Sequence, residues 1–396
     1  MSLDDLRRAL QALDEPTFCE GTAPLTEPLA IMLPDGDLAA PGDPGFVDWL
    51  VVHGEPAPFG HAGETKFDPA VRHATRLVAR GAARIGGFDP ADVLGTIEAA
   101  LSPRMHLVAT LTDVLVYRAG GHFARHKDTP TSPDLIGTLV VGLPIAHRGG
   151  AFRIEDAEAH VVDWSGPADP SVLRWVAMFS DVDHAIDPVE DGARATLVYS
   201  LALSDQPRYD RDRAERVDAL RTSARHLELP DARPLMIACT RHVIALDGPQ
   251  PQGIETLRGA DRDVADAFTS SGFSVAVRTC VAARYNELDP VRSEKFTPDG
   301  DVFYARLARP LLDHDVAALL DCVVFDGMAG GGGGYHDDDA STLAPWIVDT
   351  VDNWVFRTTA AATFLRAVDF ADDGFIGNGA IGSHLYKLAA LEVTRP

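Results

Sequence analysis

The stretch from residue 107 to residue 203 constrains the fold most, because its apolar residues come in short runs separated by glycine, proline and aspartate. Runs such as 137–144 (GTLVVGLP) and 194–201 (RATLVYSL) have the length and the β-branched content of strands. The pattern predicts a compact antiparallel β domain. Within it, Asp191-Gly192 predicts a hairpin turn between two strands.

The residues before this stretch carry helical patterns. Helices are predicted over 69–85 and over 90–102, where Pro90 suits a first turn. The N-terminus is predicted to be an amphipathic helix, not a signal peptide, because acidic residues flank its apolar stripe. The stripe consists of Leu3, Leu6, Leu10 and Leu13.

A domain boundary is predicted near residue 206, where a charged helix or linker covers 205–226. Residues 1–205 then form the first domain, and 206–396 form a second, mixed α/β domain. The second domain is a candidate degenerate β-helix, substrate platform or dimerisation module. Its strand-like runs lie at 234–246, 273–285, 301–308 and 385–393, and a glycine-rich loop lies at 327–339.

The charge balance limits the classes of partner. The chain has 59 acidic and 35 basic residues, a net charge of −24, which argues against nucleic acid and anionic membranes as partners. No apolar run of about 18 residues is present, so no membrane-spanning helix is expected. Four scattered cysteines without a C-x-x-C pair fit a cytoplasmic protein.

The chemistry is expected at three residues, His126, Asp128 and His184. In a strand, residues i and i+2 point to the same face, so His126 and Asp128 would present an imidazole and a carboxylate side by side. A second histidine from another strand would complete a set of two histidines and one carboxylate. That set is the facial triad of non-haem Fe(II) oxygenases.

A second polar group follows at Arg194 and Thr196, which share a strand face ten residues after His184. An arginine fork binds a carboxylate in bidentate fashion, and a neighbouring hydroxyl adds a donor. The sequence therefore predicts a metal site and a carboxylate site on the same sheet.

These motifs resemble the Fe(II)/2-oxoglutarate-dependent dioxygenases, in the branch around the prolyl 4-hydroxylases. Tyr117 stands nine residues before His126, Thr138 stands five before a leucine, and Gly149-Gly150 precede an aromatic residue, as in that branch. A set of uncharacterised fungal and bacterial oxygenase-domain proteins is closer still. The shared motifs are HKDT (126–129), HRGG (147–150), FSDVDH (179–184), LRGAD (257–261), FIGN (375–378) and YKLAAL (386–391).

The resemblance implies a double-stranded β-helix (jelly-roll) core with flanking helices, hence an α+β protein. It implies Fe(II) held by His126, Asp128 and His184, and 2-oxoglutarate and O₂ as co-substrates, with ascorbate as a candidate stimulant. The implied reaction is hydroxylation of an unactivated C–H bond with release of succinate and CO₂. The implied 2-oxoglutarate residues are Arg194, Thr196, Tyr117 and Thr138. Prolyl hydroxylases usually use lysine where Arg194 stands, so prolyl specificity does not follow.

Two other functions remain open at this point. One is a non-catalytic jelly-roll sensor or scaffold that binds metal and 2-oxoglutarate, and the other is a metal-free binding jelly roll. The prime substrate is a peptide or protein side chain or a small metabolite, and the oligomeric state is not predicted. Local charge favours a neutral or cationic substrate, since 154–191 holds ten acidic residues and one basic residue.

Several further residues have a plainer interpretation. His122 and His147 are candidates for contact with the site or substrate, but a satisfied loop or core histidine is favoured for both. For Trp164 and Trp175, core or lid packing is favoured over substrate stacking. A second H-x-D pattern begins at His336, but it follows a glycine run instead of a strand, so a solvated loop or flap is favoured there. His384 and Arg395 would complete that second pattern.

Overall fold

The structure is a computed structural model, and its residues form two compact units, Glu15–Asp210 and Met1–Asp14 with Arg211–Pro396. The residues that it describes are 3–61, 64–81, 83–102, 104–128, 132, 134–155, 159–227, 234–241, 253–287, 302–307, 347–350, 354–355, 362–369 and 382–395. The glycine-rich loop at 327–339, with His336, and the FIGN motif lie outside these residues.

Helices are a minor part of the described chain. They are α1 (Leu3–Gln11), α2 (Phe46–Val52), α3 (Ala91–Leu101), α4 (Arg211–Arg225) and α5 (Gly259–Ser270), with one 3₁₀ turn at Ile254–Thr256. The helices predicted at the N-terminus and over 90–102 are confirmed by α1 and α3, and Pro90 caps α3. No described helix is long and apolar enough to cross a membrane.

Strands dominate the unit Glu15–Asp210. They are β1 (Phe18–Pro24), β2 (Ala30–Met32), β3 (Leu38–Ala39), β4 (Glu55–Pro56), β5 (Phe59–His61), β6 (Glu64–Lys66), β7 (Arg72–His73), β8 (Thr75–Val78), β9 (Arg84–Gly86), β10 (Met105–Arg118), β11 (His122–His126), β12 (Leu135–Gly142), β13 (His147–Gly149), β14 (Phe152–Glu155), β15 (Ala159–Val162), β16 (Val172–Phe179), β17 (Asp183–Ile186) and β18 (Val189–Pro207).

Two sheets of this unit contribute to one core. The larger has the order β1-β16-β12-β18-β10-β8-β4, with β13 against β18, and the smaller has the order β15-β14-β17-β11-β7. Their described pairings are antiparallel. Val140 of the larger sheet and Phe152 of the smaller belong to the same buried cluster. The chain is therefore a sheet-rich α+β protein whose first unit encloses its core between antiparallel sheets.

The predicted helix over 69–85 is wrong, because this segment pairs with two sheets instead. β7 lies against β11, and β8 lies against β10. Leu77 and Ala79 are buried in alternate positions, as on a strand. Edge pairing satisfies the backbone groups of the segment and outweighs its helical side-chain pattern.

The predicted hairpin at Asp191-Gly192 is also wrong, since β18 runs without a turn from Val189 to Pro207. The partner of this segment is β13, where His147 pairs with Gly192. Gly192 has a φ of 73°, and a Cβ atom there would lie 2.7 Å from the carbonyl oxygen of Ala146. The glycine therefore allows a close approach of two strands, and no turn is needed.

The second unit is built on one large sheet. Its strands are β19 (Leu235–Ala238), β20 (Ser274–Glu287), β21 (Val302–Leu307), β22 (Ile347–Thr350), β23 (Trp354–Val355), β24 (Ala362–Asp369) and β25 (Gly382–Thr394). The order is β22-β21-β20-β25-β19-β23, with β24 also paired to β25. The sequence grouped the N-terminal helix with the first domain, but α1 packs here. Its Leu6, Leu10 and Leu13 share a core with Leu220 of α4 and Phe268 of α5.

Candidate metal centre

His126, Asp128 and His184 come together in the first unit. His126 is the last residue of β11 and pairs directly with His184 of β17, and Asp128 lies two residues beyond the end of β11. The Nε2 atoms of the two histidines lie 3.9 and 3.8 Å from Oδ1 of Asp128. One ligand atom from each residue lies within 4.8 Å of the others, a spacing that suits a metal ion.

Backbone carbonyls fix the tautomer of both histidines. Nδ1 of His126 lies 2.9 Å from the carbonyl oxygen of Ala124, and Nδ1 of His184 lies 2.9 Å from that of Val182. A carbonyl oxygen only accepts, so each Nδ1 carries the proton and donates it. Each Nε2 is left with a free lone pair, which is the form that binds a metal.

The surroundings of the centre keep His126 neutral and pack aromatic rings against both imidazoles. Burial, and next the neighbouring His184, lower the pKa of His126 to about 3. The ring of Phe123 stacks on His126 at 3.5 Å, and the ring of Phe152 stacks near His184 at 5.4 Å. A neutral His126 favours metal binding, which requires deprotonated ligands.

Thr138 contacts the metal-binding carboxylate. Its hydroxyl donates to Oδ2 of Asp128 at 2.5 Å, while Oδ1 of the same carboxylate faces the histidines. Thr138 lies on β12, so the larger sheet orients a ligand that follows a strand of the smaller sheet. The sequence predicted Thr138 as a 2-oxoglutarate residue, whereas the structure places its hydroxyl on the aspartate.

Arg194 lies on β18 and is only 2% exposed. Its Nε and both terminal nitrogens are buried without a hydrogen-bond partner. Its guanidinium carbon lies 5.2 Å from the Trp164 ring, 5.8 Å from the Tyr117 ring and 6.0 Å from the Phe152 ring. Burial lowers the pKa of this arginine to about 10, so it remains a cation at neutral pH.

Two buried hydroxyl groups in this region also lack a hydrogen-bond partner. Tyr117 pairs directly with Arg194 across β10 and β18, and Thr196 follows two positions later on β18. The hydroxyl groups of Tyr117 and Thr196 are buried and lack a partner. Buried polar groups are normally hydrogen-bonded, so a cluster of unpartnered donors around a cation indicates a site for an anion. We refer to Arg194, Thr196 and Tyr117 as the carboxylate subsite.

The metal centre and the carboxylate subsite share a wall. The centroid of the Phe152 ring lies 5.4 Å from that of the His184 ring and 6.0 Å from the guanidinium carbon of Arg194. Gly150 adds space, because a Cβ atom there would lie 3.2 Å from Cδ of Arg194. Phe152 therefore borders both the metal centre and the carboxylate subsite.

For His147, sequence reasoning favoured a satisfied loop or core histidine over a residue that contacts the site. Its Nε2 is buried without a partner, and the charge of Arg194 acts on its ring. The expectation of a fully satisfied histidine is therefore wrong for His147. His122 does fit that expectation, because its nitrogens lie 3.1 Å from the carbonyl oxygens of Gly120 and Ala70.

The two tryptophans differ in their surroundings. Trp175 belongs to the core cluster, as expected for packing. Trp164 packs over Gly142, where a Cβ atom would lie 2.7 Å from its ring, and it also contacts the Arg194 guanidinium. Trp164 is thus both a packing residue and a wall of the carboxylate subsite.

Motifs of the second unit have structural roles where they are described. Both carboxylate oxygens of Asp261, from the LRGAD motif, accept hydrogen bonds from the backbone nitrogen of Thr240, and one also accepts from that of Arg241. Arg395 donates to the carbonyl of Leu227 at 2.6 Å. Among the described residues, His126, Asp128 and His184 are the group that could hold a metal.

Comparison with known proteins gives structural neighbours only. No protein-family model matches the chain, and no curated protein matches it. One similar solved structure is a 2OG-Fe(II) oxygenase family oxidoreductase from Burkholderia pseudomallei. It has a TM-score of 0.27 and 15% identity, over 52% of this chain and 93% of the other.

Two prolyl hydroxylase structures are also similar. The Pseudomonas putida prolyl-4-hydroxylase has a TM-score of 0.25 and 18% identity, over 35% of this chain and 77% of the other. The Trichoplax adhaerens prolyl hydroxylase, in complex with a hypoxia inducible factor peptide fragment, has a TM-score of 0.26 and 12% identity, over 50% and 92%. Because these scores and identities are low, we infer the function from the site residues themselves.

Proposed function

We propose that the protein is an Fe(II)- and 2-oxoglutarate-dependent dioxygenase with a jelly-roll core in its first unit. The observation that carries the proposal is a metal-ligand set of two histidines and one aspartate beside an unpartnered buried guanidinium. The first group suits an iron that keeps open coordination positions, and the second suits the far carboxylate of a 2-oxo diacid.

The metal-ligand set fits Fe(II) in its donor chemistry. Two neutral imidazoles and one carboxylate are the facial triad of non-haem Fe(II) oxygenases. His126, Asp128 and His184 would hold the ion through Nε2, Oδ1 and Nε2, and the hydroxyl of Thr138 would keep the carboxylate in place. A structural zinc site would instead be closed by a fourth protein ligand, and the described group has three residues.

The carboxylate subsite fits 2-oxoglutarate. The guanidinium of Arg194 would pair with its distal carboxylate, and the hydroxyls of Thr196 and Tyr117 would donate to the same oxygens. These bonds replace the missing partners of buried donors, so ligand binding removes a desolvation penalty. Trp164 and Phe152 shield the pair from water, which strengthens the electrostatic attraction.

The residues of this chain bind, orient and desolvate, and the cofactors supply the chemistry. When bound, Fe(II) and 2-oxoglutarate supply the oxidising power, with O₂ reduced, 2-oxoglutarate converted to succinate and CO₂, and one oxygen atom inserted into a substrate C–H bond. We infer a peptide or a small molecule as substrate.

Anaerobic binding followed by exposure to O₂ tests the proposal. Fe(II) and 2-oxoglutarate added together to the anaerobic full-length protein should give the visible charge-transfer band of a 2-oxo acid chelated to Fe(II). Admission of O₂ should then yield succinate, measured by NMR, even without substrate. Arg194→Ala should weaken 2-oxoglutarate binding at least about tenfold, because charge-assisted hydrogen bonds contribute about 1.5–3 kcal/mol each.

The variants also distinguish the alternatives. Asp128→Ala should abolish both the band and succinate formation. Succinate formation that is unchanged in Asp128→Ala or in Arg194→Ala would contradict the assignment. A band without succinate would show a sensor that binds metal and 2-oxoglutarate, and the absence of a band would show neither function.

A further inference from the structure

We propose that His147 is a fourth polar residue of the carboxylate subsite, and that its Nε2 takes up a proton from solvent when a dicarboxylate binds and donates it to the ligand. The inference rests on the proposed binding of 2-oxoglutarate at Arg194 and adds a proton-linked regulation of that binding. In the first unit, His147 lies on β13 beside the strand that carries Arg194.

Hydrogen bonds hold both the backbone and the ring of His147. Its backbone pairs with Gly192 of β18 and, through two hydrogen bonds, with Gly166. Its Nδ1 lies 3.0 Å from the carbonyl oxygen of Ile145. Because a carbonyl only accepts, Nδ1 carries a proton, and the neutral ring has no proton on Nε2. In the free protein, Nε2 of His147 therefore carries a lone pair and no proton.

That lone pair is poorly suited to a carboxylate ligand unless it gains a proton. A carboxylate oxygen and an unprotonated nitrogen are both acceptors and repel each other. Protonated Nε2 would instead add a charge-assisted hydrogen bond beside the guanidinium. A bound anion therefore favours the imidazolium form, which the cation of Arg194 disfavours in the free protein.

The charged groups around His147 support this direction. Burial is the main cause that lowers the pKa of His147, and the guanidinium groups of Arg194 on β18 and Arg174 on β16 lower it further. The hydrogen bond to Ile145 and the carboxylate of Asp163 act in the opposite sense. His147 is thus neutral at pH 7 in the free protein, and a ligand carboxylate near Arg194 would reverse the sign of the local field.

The linkage predicts tighter binding at lower pH. If the bound state holds more protons than the free state, the dissociation constant falls as the pH falls, over the interval between the two His147 pKa values. The free value lies below the ordinary 6.5. We expect 2-oxoglutarate to bind about threefold to tenfold more tightly at pH 6 than at pH 8, since a nearby opposite charge raises a pKa by about one unit or more.

Calorimetry measures the proton directly. The Mn(II)-loaded, full-length protein is titrated with 2-oxoglutarate near pH 7 in two buffers of different ionisation enthalpy. The difference in apparent enthalpy gives the number of protons taken up. Saturation with Mn(II) keeps the metal-binding histidines from titrating. We expect a substantial fraction of one proton per ligand for the native protein.

Two controls isolate His147. His147→Gln keeps a hydrogen-bond donor but has no titratable group, so proton uptake and the pH dependence should disappear while binding persists. His160→Gln alters an exposed histidine of β15 that pairs with Glu20, and it should behave as the native protein does. Pyruvate, which has no distal carboxylate, should bind the Mn(II) form without proton uptake.

The outcomes separate this proposal from the proposed function. Binding of 2-oxoglutarate without proton uptake, or with uptake that persists in His147→Gln, would overturn the role of His147 and leave the oxygenase assignment intact. Absence of 2-oxoglutarate binding in every form would overturn both. A purely structural histidine would change the melting temperature in His147→Gln but not the number of protons taken up.

Discussion

Replacement of Arg194 by methionine should stabilise the ligand-free protein and abolish 2-oxoglutarate binding. Methionine is apolar, nearly as long as the buried part of arginine, and flexible enough to fill the space. The opposite effects on stability and on binding would separate a ligand-binding arginine from a structural one.

The magnitude follows from the burial of the guanidinium. Its pKa falls from the ordinary 12.5 to about 10, so the fold disfavours the charged form by about 3 kcal/mol. At pH 7, which lies below both pKa values, the arginine is charged in the folded and in the unfolded chain. The free energy of folding therefore includes the whole of this penalty. Contacts with the rings of Trp164 and Tyr117 offset roughly 1–2 kcal/mol of it. The free energy of unfolding of ligand-free Arg194→Met should therefore be about 1–2 kcal/mol higher than that of the native protein.

Thermal unfolding followed by circular dichroism checks both effects. Without ligand, the melting temperature of Arg194→Met should rise by roughly 2–8 °C. With Mn(II) and 2-oxoglutarate at about 100 times the dissociation constant, the native protein should gain about 2.7 kcal/mol from the ligand, and the variant should gain nothing from 2-oxoglutarate. Arg84→Met, at an exposed position of β9, is the matched control, and its melting temperature and its gain from the ligand should both stay close to those of the native protein.

A loss of more than about 1 kcal/mol of stability in ligand-free Arg194→Met would refute this reasoning. It would mean that the guanidinium has structural partners in solution, such as ordered water, that outweigh its desolvation. Retention of the ligand-induced shift in the variant would likewise contradict the placement of the distal carboxylate at Arg194.

Changes at four further positions have expected outcomes. Thr138→Val should weaken Mn(II) binding about tenfold to a hundredfold, measured by calorimetry, and Thr138→Ser should restore it, because the hydroxyl orients a metal-binding carboxylate. Gly150→Ala and Gly120→Ala should each lose about 1–2 kcal/mol of stability, since both have positive φ. Only Gly150→Ala should weaken 2-oxoglutarate binding, because a Cβ at Gly120 meets no atom within 4 Å. Asp261→Asn should lower the free energy of unfolding in urea by about 1–3 kcal/mol with unchanged 2-oxoglutarate affinity, since it removes a buried acceptor of backbone N–H groups.

The metal ligands could be predicted because their grouping depends on short-range geometry. The i, i+2 spacing of His126 and Asp128 brings their side chains close in an extended chain. His184 was predicted from its order before Arg194 and from the resemblance to known motifs, because the pairing between β11 and β17 spans more than fifty residues. The contact of Asp128 with Thr138 was missed because it joins two different sheets, and sequence spacing does not give distances between sheets.

The helix that was wrongly predicted over 69–85 shows a second limit of reasoning from the sequence. Its apolar residues fit a helical period nearly as well as an alternating one, so tertiary contacts decide between helix and strand. Edges of two sheets, at β10 and β11, supply hydrogen-bond partners for β8 and β7. The same reasoning explains Asp191-Gly192, where a turn dipeptide lies inside a strand because β13 pairs across it.

One local arrangement recurs at four histidines of the first unit and explains why their roles could not be told apart by sequence. In each, Nδ1 faces the carbonyl oxygen of the residue two positions earlier. The histidines are His122, His126, His147 and His184. In a neutral ring this arrangement leaves Nε2 without a proton. The group that lies opposite Nε2 therefore decides the function of each histidine.

The partners opposite Nε2 come from distant parts of the chain. At His126 and His184, Nε2 faces Oδ1 of Asp128, and a cation can bind among them. At His122, Nε2 faces the carbonyl oxygen of Ala70. At His147, Nε2 is buried without a partner, and the charge of Arg194 disfavours its protonation in the free protein. A proton taken up together with an anion satisfies that site, and this is why the proton count, and not activity alone, decides the role of His147.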